Sequence, residues 1–193
     1  MSTPAKVTES ASGLSRLPTQ AGQDTPARKL ATFTTDEDSY PLWSPDGRTL
    51  AFLMGGEVRL SAYHRFRLST VGRDGGPVRV LGQSLERGLQ NAIAWSPDGR
   101  SLLGIVDDDR SSYVARFDAT PTAEKAAVQR LTPLQASASF LSIASNGTVA
   151  LLAGNAKQPD EVHLLNAGIK PTALQRLSHQ NDEWVSSLQW GRT

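Results

Sequence analysis

Six residues, Trp43-Ser44-Pro45-Asp46-Gly47-Arg48, recur unchanged as Trp95-Ser96-Pro97-Asp98-Gly99-Arg100, with their glycines 52 positions apart. A weaker copy, Ile143-Ala144-Ser145-Asn146-Gly147, follows 48 positions after the second, so the chain repeats with a period of about fifty residues. The chemistry of the hexapeptide is that of a tight turn: Pro presets φ, Asp bonds nearby backbone amides, and Gly accepts the positive φ that a hairpin demands. After each turn comes a continuous apolar run, Leu50-Ala51-Phe52-Leu53, Leu102-Leu103-Gly104-Ile105-Val106 and Val149-Ala150-Leu151-Leu152, suited to a strand buried on both faces.

Farther along each repeat an alternating strand is expected. Phe66, Leu68 and Thr70 alternate with Arg65, Arg67 and Ser69, then Tyr113, Ala115 and Phe117 with Val114, Arg116 and Asp118, and Val162 and Leu164 continue the theme. Closing strands are expected at Val78-Arg79-Val80-Leu81, Val128-Gln129-Arg130-Leu131-Thr132 and Leu174-Gln175-Arg176-Leu177-Ser178. The fold class that follows is all-β, a partial β-propeller of about three four-stranded antiparallel blades over residues 40–81, 92–132 and 139–178. A β-sandwich is the alternative, but sandwiches seldom repeat a turn sequence at fixed spacing. Arg28-Lys29-Leu30-Ala31-Thr32 looks like a further closing strand, an orphan whose three companions are missing. Three blades and one strand leave an open arc, so the isolated chain is expected to self-associate, bind a complementary set of blades, or aggregate. Trp43 and Trp95 recur with the turn and read as packing residues between blades.

Composition excludes several functions. Twenty Lys and Arg balance nineteen Asp and Glu for a net charge of +1, which supplies no basic field for nucleic acid. There is no cysteine, hence no disulfide, thiolate metal site or cysteine nucleophile, and His64, His163 and His179 are too scattered to suggest a metal centre. No run approaches the roughly twenty apolar residues of a membrane-spanning helix. Residues 1–26, rich in Ser, Thr, Ala, Pro and Gln, do not look like a secretory signal and read as disordered. A soluble, cytoplasmic protein is expected.

The turn followed by Leu-Ala-Phe resembles the blade signature shared by periplasmic TolB-type propellers and the propellers of prolyl oligopeptidase-family serine peptidases. Gln158-Pro159-Asp160-Glu161-Val162-His163-Leu164-Leu165 and Arg176-Leu177-Ser178-His179-Gln180-Asn181-Asp182-Glu183-Trp184 resemble the last blade of the acylaminoacyl peptidase and dipeptidyl aminopeptidase relatives. The resemblance covers about residues 28–191. It implies a propeller over residues 27–181 and, at 182–193, an exit segment leading towards an α/β-hydrolase domain absent from these 193 residues. In that family the propeller restricts the access of peptide substrates to the hydrolase site, so the implied role is gating and the implied partners are the hydrolase domain, complementary blades and a peptide.

No catalytic, cofactor or metal residue is expected in the chain itself. Gly82-Gln83-Ser84-Leu85-Glu86 lacks the second glycine of a nucleophile elbow, and nothing pairs Ser84 with a base. Asp107-Asp108-Asp109-Arg110 could attract an amine or a calcium ion, yet it lacks the alternating ligands and glycine of a calcium loop and reads as a solvated turn. Gly55-Gly56 and Gly75-Gly76 fit turns better than phosphate cradles. The loops holding Gly55-Gly56, Asp107 to Asp109 and Lys157-Gln158-Pro159 are expected to share one rim.

Overall fold

A computed structural model describes residues 11–16, 28–34, 41–55, 65–120, 128–133, 137–166 and 173–189. The described residues form three four-stranded antiparallel sheets, one two-stranded sheet and a single short helix. They divide into two compact units, Met1–Val80 and Leu81–Thr193.

In the first unit, β1 (Ala11–Arg16) pairs with β2 (Arg28–Thr34), and β3 (Leu42–Trp43), β4 (Thr49–Met54), β5 (Arg67–Gly72) and β6 (Arg79–Val80) form the first sheet in sequence order. The Arg28–Thr34 strand is present but is no orphan, because Ala11–Arg16 lies inside the stretch read as disordered and supplies its antiparallel partner. Composition misled here: pairing satisfies backbone groups whatever the side chains are. A register shift at Leu14/Ser15 sets Leu30 as an extra residue on β2, which lets both Leu30 and Ala31 be buried. With Phe33 they cover Leu50, Phe52 and Val71 of the first sheet, and the Phe33 and Phe52 rings stand 4.8 Å apart.

In the second unit, β7 (Leu89–Trp95), β8 (Ser101–Asp108), β9 (Ser111–Asp118) and β10 (Val128–Arg130) make the second sheet; β11 (Ser137–Ile143), β12 (Thr148–Asn155), β13 (Gln158–Asn166) and β14 (Gln175–Arg176) make the third. The two sheets pack face to face, Leu103, Ile105, Val114 and Leu131 against Ala138, Val149, Leu151, Ala153 and Leu165. They are also stitched by a side chain: the Ser112 hydroxyl at the start of β9 donates to the Ala138 carbonyl of β11 and accepts from its N–H. After β14 the chain turns into the helix α1 (Asp182–Ser186).

The apolar runs are the interior strands β4, β8 and β12, as their sequence requires. In β4 and β8 adjacent residues facing opposite sides are all buried, whereas β12 alternates. Each of the two identical turns is fixed by its own serine and aspartate. Ser96 Oγ donates to Asp98 at 2.6 Å and accepts from Ser101 N–H at 3.0 Å, and Ser44, Asp46 and Thr49 reproduce these bonds. The serine hydroxyl and the Arg100 amide hold the Asp98 carboxyl below the usual carboxylate range. Gly47, Gly99 and Gly147 all take positive φ. Trp95 is buried, but Trp43 is 41% exposed, so the two tryptophans do not share one packing role.

Candidate functional site

Within the second unit the antiparallel order gives the sheets two ends. The hairpins joining Asp108 to Ser111 and Asn155 to Gln158 lie at one end, linked through Ser112 and Ala138, and β14 finishes there. The Gly99 and Gly147 turns lie at the other, where they border an open groove of about 280 Å³ with Arg116 and Ile143 in its lining. Gly55 belongs to the first unit and Gly56 lies outside the described residues, so only two of the three loops expected on one rim are seen to share it.

A dense polar cluster at the hairpin end centres on Glu161. This side chain lies on the face of β13 shared with Ala153, its cross-strand partner, and Glu161 is only 2% exposed. A buried carboxylate needs donors, and it has four. Ser178 Oγ donates to one oxygen; Asn181 N–H (2.9 Å), Asn181 Nδ2 (3.1 Å) and Arg176 Nη2 (3.3 Å) reach the other. The bonds from Ser178 first and then from Asn181 pull the Glu161 carboxyl down to about 2 despite burial. The cluster extends outwards, since Arg176 also pairs with Asp182, which meets His179 Nδ1 at 2.9 Å.

Local sequence explains the placement. Arg176 stands opposite His163 in the β13–β14 ladder, one step from Glu161. Leu177 N–H then bonds the Val162 carbonyl, Ser178 Oγ accepts from Val162 N–H at 2.8 Å, and Arg176 Nε turns back onto the Ser178 carbonyl. Ser178 is thereby aimed at Glu161, and the next turn delivers Asn181. Three residues of the segment leaving the sheet, Ser178, Asn181 and Asp182, are thus tied directly or through Arg176 to one carboxylate. The arrangement holds a chain direction.

Of the residues weighed from sequence, only His163 and His179 lie near this cluster. Ser84 is exposed in the turn after β6, where Leu85 N–H bonds Gly82 O. Asp107 accepts from Gln90, Asp108 pairs with Arg87 at 2.9 Å, and Asp109 occupies the hairpin turn with φ of 57°. His163 Nδ1 meets the Glu161 carbonyl, His179 meets Asp182, and His64 lies outside the described residues. Among the described residues no group of three or more His, Asp and Glu could hold a metal ion, and no helix is long and apolar enough to cross a membrane. Sequence reasoning quoted Glu161, Arg176, Ser178 and Asn181 without seeing that they converge.

No protein-family model and no curated protein matches this chain. Solved structures do. The TolB-designated protein of Agrobacterium tumefaciens superposes with a TM-score of 0.53 at 21% identity, over 72% of this chain and 48% of that one. A serine-to-alanine mutant of a puromycin hydrolase in complex with PGG superposes with a TM-score of 0.52 at 22% identity, over 73% of this chain and 22% of that one. This chain therefore spans about half of the first protein and less than a quarter of the second. The likeness establishes the fold: three four-stranded sheets of a partial β-propeller.

Proposed function

We propose that this chain is the non-catalytic propeller portion of a cytoplasmic serine peptidase of the prolyl oligopeptidase family, gating the passage of peptides to an α/β-hydrolase domain. The observation that carries the reading is the Glu161 cluster. It fixes the segment after β14 against the last sheet, at the end where both hairpins of the second unit also lie. A domain following such a segment would start from a defined position over that end, as gating requires. The puromycin hydrolase, of whose chain this one covers 22%, supplies the precedent of a hydrolase with a stretch of similar fold within a longer chain. A TolB-like module that binds another protein is the second reading, favoured by the equal structural likeness to TolB.

Reading the gene beyond the Thr193 codon separates the two. The peptidase reading expects a downstream Gly-x-Ser-x-Gly followed by Asp and His; a stop codon with no hydrolase gene adjoining it would overturn that reading. Residues 1–193 alone are expected to leave aminoacyl and acyl-aminoacyl chromogenic peptides uncleaved. Turnover abolished by Ser84→Ala would contradict this.

A further inference from the structure

The β8–β9 and β12–β13 ladders of the second unit correspond position by position over Ser101–Val106 and Thr148–Ala153, which allows the exposed face of one sheet to be read from the buried face of the other. Ser101 and Thr148 each accept the hydrogen bond that closes their turn, from Ser96 and Ala144 N–H. Counting from them, Ile105 corresponds to Leu152, and their ladder partners Val114 and Val162 correspond. Leu131 N–H bonds Val114 O as Leu177 N–H bonds Val162 O, so Leu131 corresponds to Leu177. Ile105, Val114 and Leu131 form a row across the second sheet that is at most 1% exposed, because the third sheet lies on it. The same row in the third sheet is uncovered: Leu152 is half-buried, Val162 is 36% exposed and Leu177 is 47% exposed.

Two further features mark this face. Ser139, Ser142, Ala150, Leu164 and Gln175 occupy its neighbouring register positions, and Asp160, two residues before Val162 on β13, accepts from Ser139 Oγ at 3.2 Å at its margin. At its β11 margin a register shift between Ser139 and Leu141 sets out Phe140, which is 73% exposed and has φ of 47°. A bulky residue in the left-handed region is strained, and a bulge re-aims its side chain.

We infer that this outer face of the third sheet is a docking surface for one more four-stranded antiparallel blade. The occupant follows from continuity with the interface already present: the surface that covers Ile105, Val114 and Leu131 is a sheet whose first two strands present Ala138, Val149, Leu151 and Ala153. The next row, equally apolar and in the same register, takes a sheet of the same kind. The row itself is apolar, and the Asp160 carboxylate at its margin would repel a nucleic acid. The inference rests on the repeat alone and is independent of the peptidase reading.

The test supplies the blade from the chain's own repeat. A second copy of residues 132–177 is inserted after Leu177 of the full chain, and Val162→Cys is placed in the original copy. The chain has no other cysteine, so a thiol reagent reports that position alone. The thiol is expected to react at least about tenfold more slowly in the extended chain than in the parent carrying the same substitution. Equal reactivity in an extended chain whose circular dichroism shows it folded would overturn the inference. A measurement on the parent guards against an extended chain that does not fold. Val162→Lys with Leu177→Glu should leave the melting midpoint within about 2 °C, as expected for a bare face. Collapse of the midpoint would show the row already packed within this chain. A parent dimer in light scattering, dissolved by the same pair, would assign the face to a second copy and overturn the blade.

Discussion

The second and third sheets close with the same device and use it differently. In the second, Arg130 Nε donates to Thr132 O, Thr132 Oγ1 accepts from Val114 N–H, and the Arg130 guanidinium lies 4.9 Å from the centre of the Tyr113 ring. In the third, Arg176, Ser178 and Val162 repeat the first two bonds, but the position of Tyr113 is held by Glu161. An aromatic ring beneath an arginine satisfies only that arginine. A carboxylate there has lone pairs to spare, and it gathers Ser178 and Asn181 as well. One substitution within a repeat thus turns a closing strand into an anchorage for the chain beyond it. The same pair of sheets also differs in cover, with the Ile105 row buried and the Leu152 row bare.

The difference in cover gives the largest expected effect. Ile105→Ala should cost about 2–5 kcal/mol, the usual penalty for a fully buried aliphatic truncated in a packed core. Leu152→Ala should cost about half that or less, since part of its surface already meets water. Urea denaturation of both variants measures it, and equal losses would break the comparison. The difference in anchorage comes next. Glu161→Gln should leave the second sheet intact while raising hydrogen exchange in residues 177–189 and lowering the melting midpoint by several degrees; Tyr113→Phe, which keeps the ring under Arg130, should do neither. Acid sharpens the point. The Glu161 carboxyl titrates at about 2 when folded, below its ordinary value of 4.5, so its contribution is fully present above pH 4.5 and is lost as pH falls from there through about 2. Protection of residues 177–189 should follow that loss in the parent and lack this component in Glu161→Gln. The smallest effect concerns the turns: Ser96→Ala should cost about 1 kcal/mol through the bonds to Asp98 and Ser101, whereas exposed Ser145→Ala should stay within about 0.5 kcal/mol.

What the sequence disclosed and what it hid separate along a physical line. The turns were legible because Pro, Asp and Gly act on backbone within a few residues, and the interior strands because two buried faces leave no polar position between Leu102 and Val106. The Glu161 cluster was not, since its members span Glu161 to Asp182 and a glutamate in an alternating strand looks like any solvated residue until Asn181 folds back onto it. The family resemblance drew attention to both segments without giving a reason for their pairing. β1 escaped notice because Ala11–Arg16 is held by the ladder to β2. Trp43 and Trp95 are followed by the same five residues, yet only Trp95 is covered; local sequence repeats where surroundings do not.

The bond between Ser112 and Ala138 has a consequence for the order of events during synthesis. A hydroxyl on β9 occupies both backbone groups of Ala138, the second residue of β11. Serine 112 leaves the ribosome 26 residues before its partner, by which time the β8–β9 hairpin has the whole of its sequence available. The emerging third sheet therefore meets a finished hairpin with a donor and an acceptor already in position, and its first strand is registered before β12 exists to pair with it. Assembly is expected to run in one direction along the chain, each sheet serving as the mould for the one translated after it.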